Sequence, residues 1–439
     1  MGFFFEGRGL KLSLIKKISA TAAVVAAAGT LVATEVQATE GYFQNALGAR
    51  HKGLAGAGIA DGKDATIMTL NPAGLVHVGR QFNGSISLFM PFRQYNTTGA
   101  VASPFPASGK VKSDSNIFAV PNMAYSHPLD EDRIIGFSLS GNGGMNTTYK
   151  DVTNVACPSP PLPVGTGGVF CGGKAGVDLN QLNISATYAQ KLGNHFSFGI
   201  SPIFAIQRFK ADGLRAFGTF GMSSDPSNLT NNGFDYSFGG GARFGVEFAL
   251  DERIRVGASY QTKLLMSRLK KYAGLFAERG GFDIPANFQF GAAFDITPDL
   301  TLMADYRRIM YSGVKSISNP NPGDSLGLAA GAGFGWKDVS TIKFGAEYNA
   351  SEDLTLRAGY SYNTGPIKKN QVLFNILAPA TIKHHITGGA SYKFSPTSEV
   401  EFAAMYAPSA TVSGSTSATQ STAIKMHQLE FTVGYNYHW

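Results

Sequence analysis

The sequence predicts an all-β protein, a 14-stranded antiparallel transmembrane β-barrel preceded by a segment of different character. Three observations predict it. Only 15% of the 439 residues are charged, 53 are glycine, 12% are aromatic and mean hydropathy is −0.03; soluble chains carry about 25% charged residues. Past the N-terminal region, no apolar run reaches the roughly 18 residues that a transmembrane helix needs. The C-terminal half instead alternates apolar and polar side chains with period two, as strands do when one face meets lipid and the other a lumen. The net charge of +7 is spread along the chain and forms no basic patch of the kind nucleic acid requires.

The first element is an export signal over residues 1–38. Arg8, Lys11, Lys16 and Lys17 are basic, residues 18–34 are apolar and small, and Val36-Gln37-Ala38 offers a cleavage site after Ala38. An uncleaved anchor helix is the alternative reading of the same run. Export suits the two cysteines, Cys157 and Cys171, which share one Pro- and Gly-rich stretch and are expected to form a local disulfide. No further ligands or tighter spacing point to a metal. No cofactor is called for.

Residues 39–80 come next and do not alternate. Gly53, Gly56 and Gly58 form a small-residue cluster, and Asn71-Pro72-Ala73-Gly74-Leu75 reads as a turn. The glycine spacing is GxxGxG, no strand precedes it and no βαβ unit follows, so it is not a dinucleotide loop.

The barrel occupies 81–439. Ile342, Phe344, Ala346 and Tyr348 oppose Lys343, Gly345 and Glu347; Leu354, Leu356, Ala358 and Tyr360 oppose Thr355, Arg357 and Gly359. Tight turns stand at 127–132, 192–195, 250–253, 297–299, 351–353 and 395–398. Longer connections are expected near 96–114, 150–178, 210–235, 267–285, 314–338, 364–383 and 409–424. Short turns on one side and long loops on the other suit an outer-membrane barrel with the short set periplasmic. On the last strand Leu429, Phe431, Val433, Tyr435, Tyr437 and Trp439 share one face. That ending resembles the insertion signal read by the barrel assembly machinery, with Trp in place of the usual Phe.

The Gly/Ala-rich stretch, the acidic Asp61, the Asn71-Pro72-Ala73-Gly74-Leu75 element and the barrel that follows together resemble the FadL family of outer-membrane transporters for long-chain fatty acids and other hydrophobic compounds. Pro121-Asn122-Met123, Asn183-Ile184-Ser185, Phe196-Ser197-Phe198-Gly199 and Asp353 through Gly359 agree with it. The resemblance covers the whole chain after the signal. It implies a monomer in the bacterial outer membrane, without cofactor, among outer-membrane lipid and lipopolysaccharide, its lumen closed by a hatch over 39–80. It further implies a hydrophobic small-molecule cargo that lands in a groove among the extracellular loops, moves to a pocket beside the hatch and leaves through a gap in the wall.

Matched to this sequence, that gap falls on the third strand at Gly141, Asn142, Gly143 and Gly144; a bulge that eases barrel curvature is the alternative. Arg208 and Lys315 lie where the family carries basic ligands for a carboxylate head group. Arg208 shares parity with Phe196, Phe198 and Phe204, so outward anchoring to lipopolysaccharide phosphates is equally open. Leu214, Phe217, Phe220, Leu275 and Phe276 are candidates for the landing groove. Long-chain fatty acids are the expected cargo and uncharged toluene-like aromatics the alternative.

Other functions fit less well. An outer-membrane enzyme would need a triad, and His384-His385 near Ser391 is the nearest set, yet alternation sends His384 to the lipid side with Ile386. A general porin has no N-terminal plug, and a TonB-dependent receptor needs one far longer than residues 39–80.

Overall fold

A computed structural model describes residues 40–99, 105–157 and 167–439. The signal at 1–38 lies outside the described residues. Fourteen long strands form one antiparallel sheet: β1 (Gln81–Gly99), β2 (Phe118–Pro128), β3 (Arg133–Tyr149), β4 (Ala175–Leu192), β5 (Phe196–Asp212), β6 (Asp235–Ala249) and β7 (Ile254–Gln261), then β8 (Asn287–Thr297), β9 (Leu300–Ile309), β10 (Val339–Asn349), β11 (Leu354–Asn363), β12 (His384–Ser395), β13 (Ser398–Ser415) and β14 (Gln420–His438). Two short additions, Gly109–Lys112 and Leu265–Met266, pair with β1 and β6. β14 pairs with β1 from Gln81↔His438 to Gly99↔Gln420, which closes the sheet into a barrel.

Period two decides the orientation of each strand. On β10, Ile342, Phe344 and Tyr348 are exposed, while Lys343 and Glu347 are buried in the lumen. This inverts the pattern of a soluble protein, because lipid rather than water bathes the outside. Trp439 ends the chain exposed at the turn side, with the Arg80 guanidinium 4.6 Å from its ring centre.

All six tight turns stand where the punctuation places them. The stretch 409–424 departs from expectation. β13 runs on to Ser415 and β14 starts at Gln420, so a short turn replaces a long loop there. Its Ser/Thr-rich composition reads as a loop, but Val412↔Ile424 and Ser413↔Ala423 pair in register, and β-branched and hydroxyl side chains suit a strand. Cys157 and Cys171 are bonded within the β3–β4 connection, with Cα atoms 5.4 Å apart.

Residues 40–80 fill the lumen. They form a short helix α1 (Ala49–Gly53) and two 3-10 turns, Ala65–Thr69 and Pro72–His77, and their partners are inward-facing wall residues. The Asn71 side chain caps the second turn at Ala73 N, 3.1 Å, and donates to Ile59 O and Val246 O. Pro72 follows at the first helical position, where its fixed φ fits and its missing N–H is not needed. Wall glycines admit the turn: a Cβ at Gly245 would collide with Asn71 Oδ1, and one at Gly199 would press on Pro72.

Candidate functional site

Buried charge fixes this segment to the wall. Arg50 pairs with Asp61 and, at 2.9 Å, with Glu347; Lys52 pairs with Glu430. Arg357 reaches Glu347 at 2.7 Å, and Arg255 reaches Asp61 at 3.0 Å. Glu40 takes Lys343 at 2.8 Å and Arg307 at 3.1 Å. Burying ions is costly, so such a network adds little net stability, but removing one member leaves a buried unpaired charge. The network therefore sets where the segment sits. Gly53, Gly56 and Gly58 belong to this packed body; Gly53 lies against Gly389 of β12, and Gly74 closes onto Gly62.

The outer loops have the opposite chemistry. Leu214, Phe217, Leu275 and Phe276 converge with Phe374 and Leu377 on a groove of about 460 Å³, open side included. The Phe209–Phe276 and Phe276–Phe282 ring centres are each 4.7 Å apart, and Phe217–Phe374 are 5.4 Å apart. Phe220 stands off this groove, 40% exposed, with its ring 6.0 Å from Phe105. From Phe282 the aromatic chain continues inward to Tyr42 at 6.2 Å, and Tyr42 meets Tyr311 at 5.4 Å and Trp336 at 6.1 Å. A connected apolar path thus runs from the loops to the tip of the lumenal segment.

Beside that tip lies a lumenal pocket of about 550 Å³, its open side included, lined by Phe43, Leu70, Asn142, Ile203, Arg243 and Arg307 among others. Arg307 is engaged by Glu40, with the Phe43 ring 5.4 Å away. Arg243 donates to Gln261 Oε1 at 2.5 Å, and no carboxylate among the described residues pairs with it. It is a cation facing an interior pocket without a counter-ion.

The same pocket touches the wall where β3 breaks. Pairing of β2 with β3 ends at Asn122↔Ser140, although both strands continue. Against β4, β3 slips register between Gly141 and Gly143. From Ser140 to Thr147 every residue is buried, so this stretch loses the in-out alternation of a wall strand. Its partner there is the lumenal segment. Gln44 N donates to Asn142 O at 3.1 Å, Gly144 N donates to Tyr42 O at 3.0 Å, and the Gln44 side chain donates to Gly141 O at 2.9 Å. A Cβ at Gly143 would collide with the Tyr42 carbonyl. The break rejoins the loops higher up, where Arg93 donates to Asn146 O and Ser115 O. All four glycine-break residues read from the sequence therefore meet at one place, against residues 42–44.

Arg208 and Lys315 lie elsewhere. Arg208 keeps the outward parity of Phe204, 3.8 Å from Asp178 and with its guanidinium 4.2 Å from the Phe234 ring centre. Lys315 is half exposed on the loops, 2.8 Å from Glu278, whose carboxyl it holds below the usual range by hydrogen bonding. Neither lines the interior pocket, and Lys315 adjoins the outer groove through Ser316. Sequence reading missed Arg243. Its signal was parity, since Phe244, Val246 and Phe248 face out while Arg243, Gly245 and Glu247 face in.

His385 engages the Ser361 hydroxyl at 3.0 Å, and His384 meets Tyr360 on the outer face, 2.8 Å away. Among the described residues no group of three or more His, Cys, Asp or Glu could hold a metal.

Comparison with known proteins gives a consistent result. The family model for outer membrane protein transport proteins (OMPP1/FadL/TodX) matches residues 29–437. The long-chain fatty acid transport protein of Escherichia coli K12 is 22% identical, over 88% of this chain and 91% of its own. Outer membrane protein P1 of Haemophilus influenzae is 22% identical over 65% of each chain. Among solved structures, the Pseudomonas putida toluene transporter TodX superposes with a TM-score of 0.68 at 19% identity, covering 90% of this chain and 99% of its own. A Pseudomonas aeruginosa FadL homologue gives 0.65 at 14% identity, covering 90% and 99%.

Proposed function

This chain belongs to the OMPP1/FadL/TodX family of outer membrane transport proteins, and from that premise we propose that it takes up long-chain fatty acids and releases them sideways into the outer membrane. The observation that carries this reading is Arg243, a cation without a counter-ion in a pocket between apolar path and strand break. A carboxylate arriving there would find charge-assisted donors in Arg243 and Arg307. Earlier on the route, Lys315 adjoins the outer groove through Ser316 and captures the head group before the chain enters, whereas Arg208, facing outward, anchors to lipopolysaccharide phosphates.

The route follows from the cargo. Each buried methylene is worth about 0.8 kcal/mol, so a water-filled channel offers a fatty acid no favourable path. Lipopolysaccharide obstructs direct entry into the outer leaflet. The cargo lands against Leu214, Phe217, Leu275 and Phe276, with Phe220 at the approach, and passes along the aromatic chain to the pocket. Residues 40–47 are the moving part of the hatch, and the body around Gly53, Gly56, Gly58 and the Asn71-Pro72-Ala73-Gly74 turn stays in place. When the tip leaves Gly141, Asn142, Gly143 and Gly144, the pocket opens between β2 and β3. One chain contains groove, pocket and break, so the protein works as a monomer. Trp439 and its strand serve insertion by the barrel assembly machinery.

The test is uptake of radiolabelled oleate and of toluene by cells carrying Arg243→Ala. Loss of oleate uptake with toluene unchanged supports fatty-acid transport. Unchanged uptake of oleate would contradict it, and toluene uptake exceeding oleate uptake in the parent protein would favour the aromatic cargo.

A further inference from the structure

On the outside of the barrel, the β1–β14 seam carries a second feature that the transport route does not use. Lys112, Gln94 and Lys425 stand in one cross-strand row, since Gln94 pairs with Lys112 on one side and with Lys425 on the other. Lys425 and Lys112 are exposed, and Lys110 adds a third ammonium two residues further out. Arg93, on the opposite parity, also borders the crevice but turns its guanidinium to Asn146 O and Ser115 O and is not part of the row. Directly below the row, Phe92 stacks on His427 with ring centres 4.8 Å apart, and Tyr406 beside them is 47% exposed. Together these residues line a crevice of about 980 Å³, its open side included.

Height fixes what this crevice faces. Phe92 is far enough along β1 from Gln81 that, at about 3.3 Å per residue and a tilt of about 45°, it stands roughly 25 Å above the periplasmic end. That is the upper limit of an apolar band about 25 Å tall. The lysine row begins just above it, at the level of outer-leaflet head groups. Lysine ion pairs on the outer side of the described residues are made by Lys174, Lys210, Lys263 and Lys315, and none involves Lys110, Lys112 or Lys425. Three cations that make no ion pair among the described residues, set over a ring pair that meets acyl chains, match a ligand with phosphate above and hydrocarbon below.

We propose that this crevice binds a phosphate group of an outer-leaflet glycolipid of the lipid A type. Lys112 and Lys425 clamp the phosphate across Gln94, Lys110 neutralises its remaining charge, and Phe92, His427 and Tyr406 carry the proximal acyl chains. A soluble phosphate would use the lysines but gain nothing from the rings.

The experiment is native mass spectrometry of the delipidated full-length protein in detergent, titrated with diphosphoryl lipid A, enzymatically dephosphorylated lipid A, or inorganic phosphate. The expected result is tightest binding of diphosphoryl lipid A, weakened at least tenfold in the Lys110→Ser/Lys112→Ser/Lys425→Ser protein. Phe92→Ala should weaken the lipid but leave inorganic phosphate unaffected, and the loop variant Lys368→Ser/Lys369→Ser should bind as the parent does. Equal binding of phosphorylated and dephosphorylated lipid, or of parent and triple variant, overturns the proposal. Inorganic phosphate competing as well as the lipid overturns its lipid identity. Heat-modifiable migration in gels confirms that each variant is folded, and Lys425→Glu replaces the triple variant should that one fail.

Discussion

The lower lumen and the upper lumen of this barrel are filled by opposite means. Below, α1 and Asp61 are held by ion pairs to β7, β10 and β14, with Arg357 of β11 joining the same network, and the Asn71–Gly74 turn is held by hydrogen bonds of Asn71 to Ile59 O and Val246 O. Above, the loops contribute Phe, Tyr and Trp rings in van der Waals contact, with few charges among them. A charged network holds one arrangement, because any shift strands ions without partners. An apolar cluster tolerates a guest, because its attraction is non-directional and follows buried area. On the route proposed above, the upper part carries the cargo and the lower part is the floor. Arg243 and the β3 break lie at the boundary, which on that proposal gives the cargo an exit beside the floor rather than below it.

Several changes break or sharpen that contrast. Glu347→Gln, which leaves Arg50 and Arg357 short of a buried partner, should have the largest effect, about 3–5 kcal/mol of stability lost in thermal unfolding. It should also raise single-channel conductance to small ions as the floor loosens. Next comes Gly143→Val, which forces Tyr42 off β3 and removes two backbone hydrogen bonds of about 1 kcal/mol each. Oleate uptake should rise severalfold, since the tip no longer closes the exit, while barrel melting moves little.

Arg243→Ala should weaken oleate binding by about 1.5–3 kcal/mol, the range of a hydrogen bond to a charged group, with toluene binding unchanged in calorimetry. Leu275→Ala, in the groove, should slow uptake about twofold without changing its saturation level, since landing precedes the tight site. The smallest effect belongs to Lys315→Ala. Glu278 sits below its ordinary value of about 4.3, so its stabilising pair is present above that pH and lost as pH falls further. Because both side chains are half exposed, the pair contributes at most about 1 kcal/mol, visible only as a flatter unfolding profile between neutral and acid pH.

The barrel was legible in the sequence because lipid enforces period two on every wall strand, and one-sided faces such as Ile342, Phe344 and Tyr348 have no other explanation. The break was legible for the converse reason. Gly141–Gly144 is where alternation fails, and the structure puts an internal partner there. Connections were harder to read, since Ser413–Thr422 is polar whether it pairs as a strand or loops freely. The interior cation was missed because a resemblance directs attention to matched stretches. Arg208 falls in such a stretch but keeps outward parity, whereas Arg243 lies in none and faces in. Ion pairs such as Arg50–Glu347 join residues hundreds of positions apart, and no local pattern announces them.

The central claim is that residues 42–44 must leave β3 for cargo to exit. Gln44→Cys/Asn142→Cys places two thiols across the backbone pairing of Gln44 with Asn142. Oleate uptake should be blocked in the oxidised double variant and restored by mild reduction, while the parent, carrying only Cys157–Cys171, is indifferent to both treatments. Equal uptake by the oxidised, cross-linked protein and the reduced one would contradict the account.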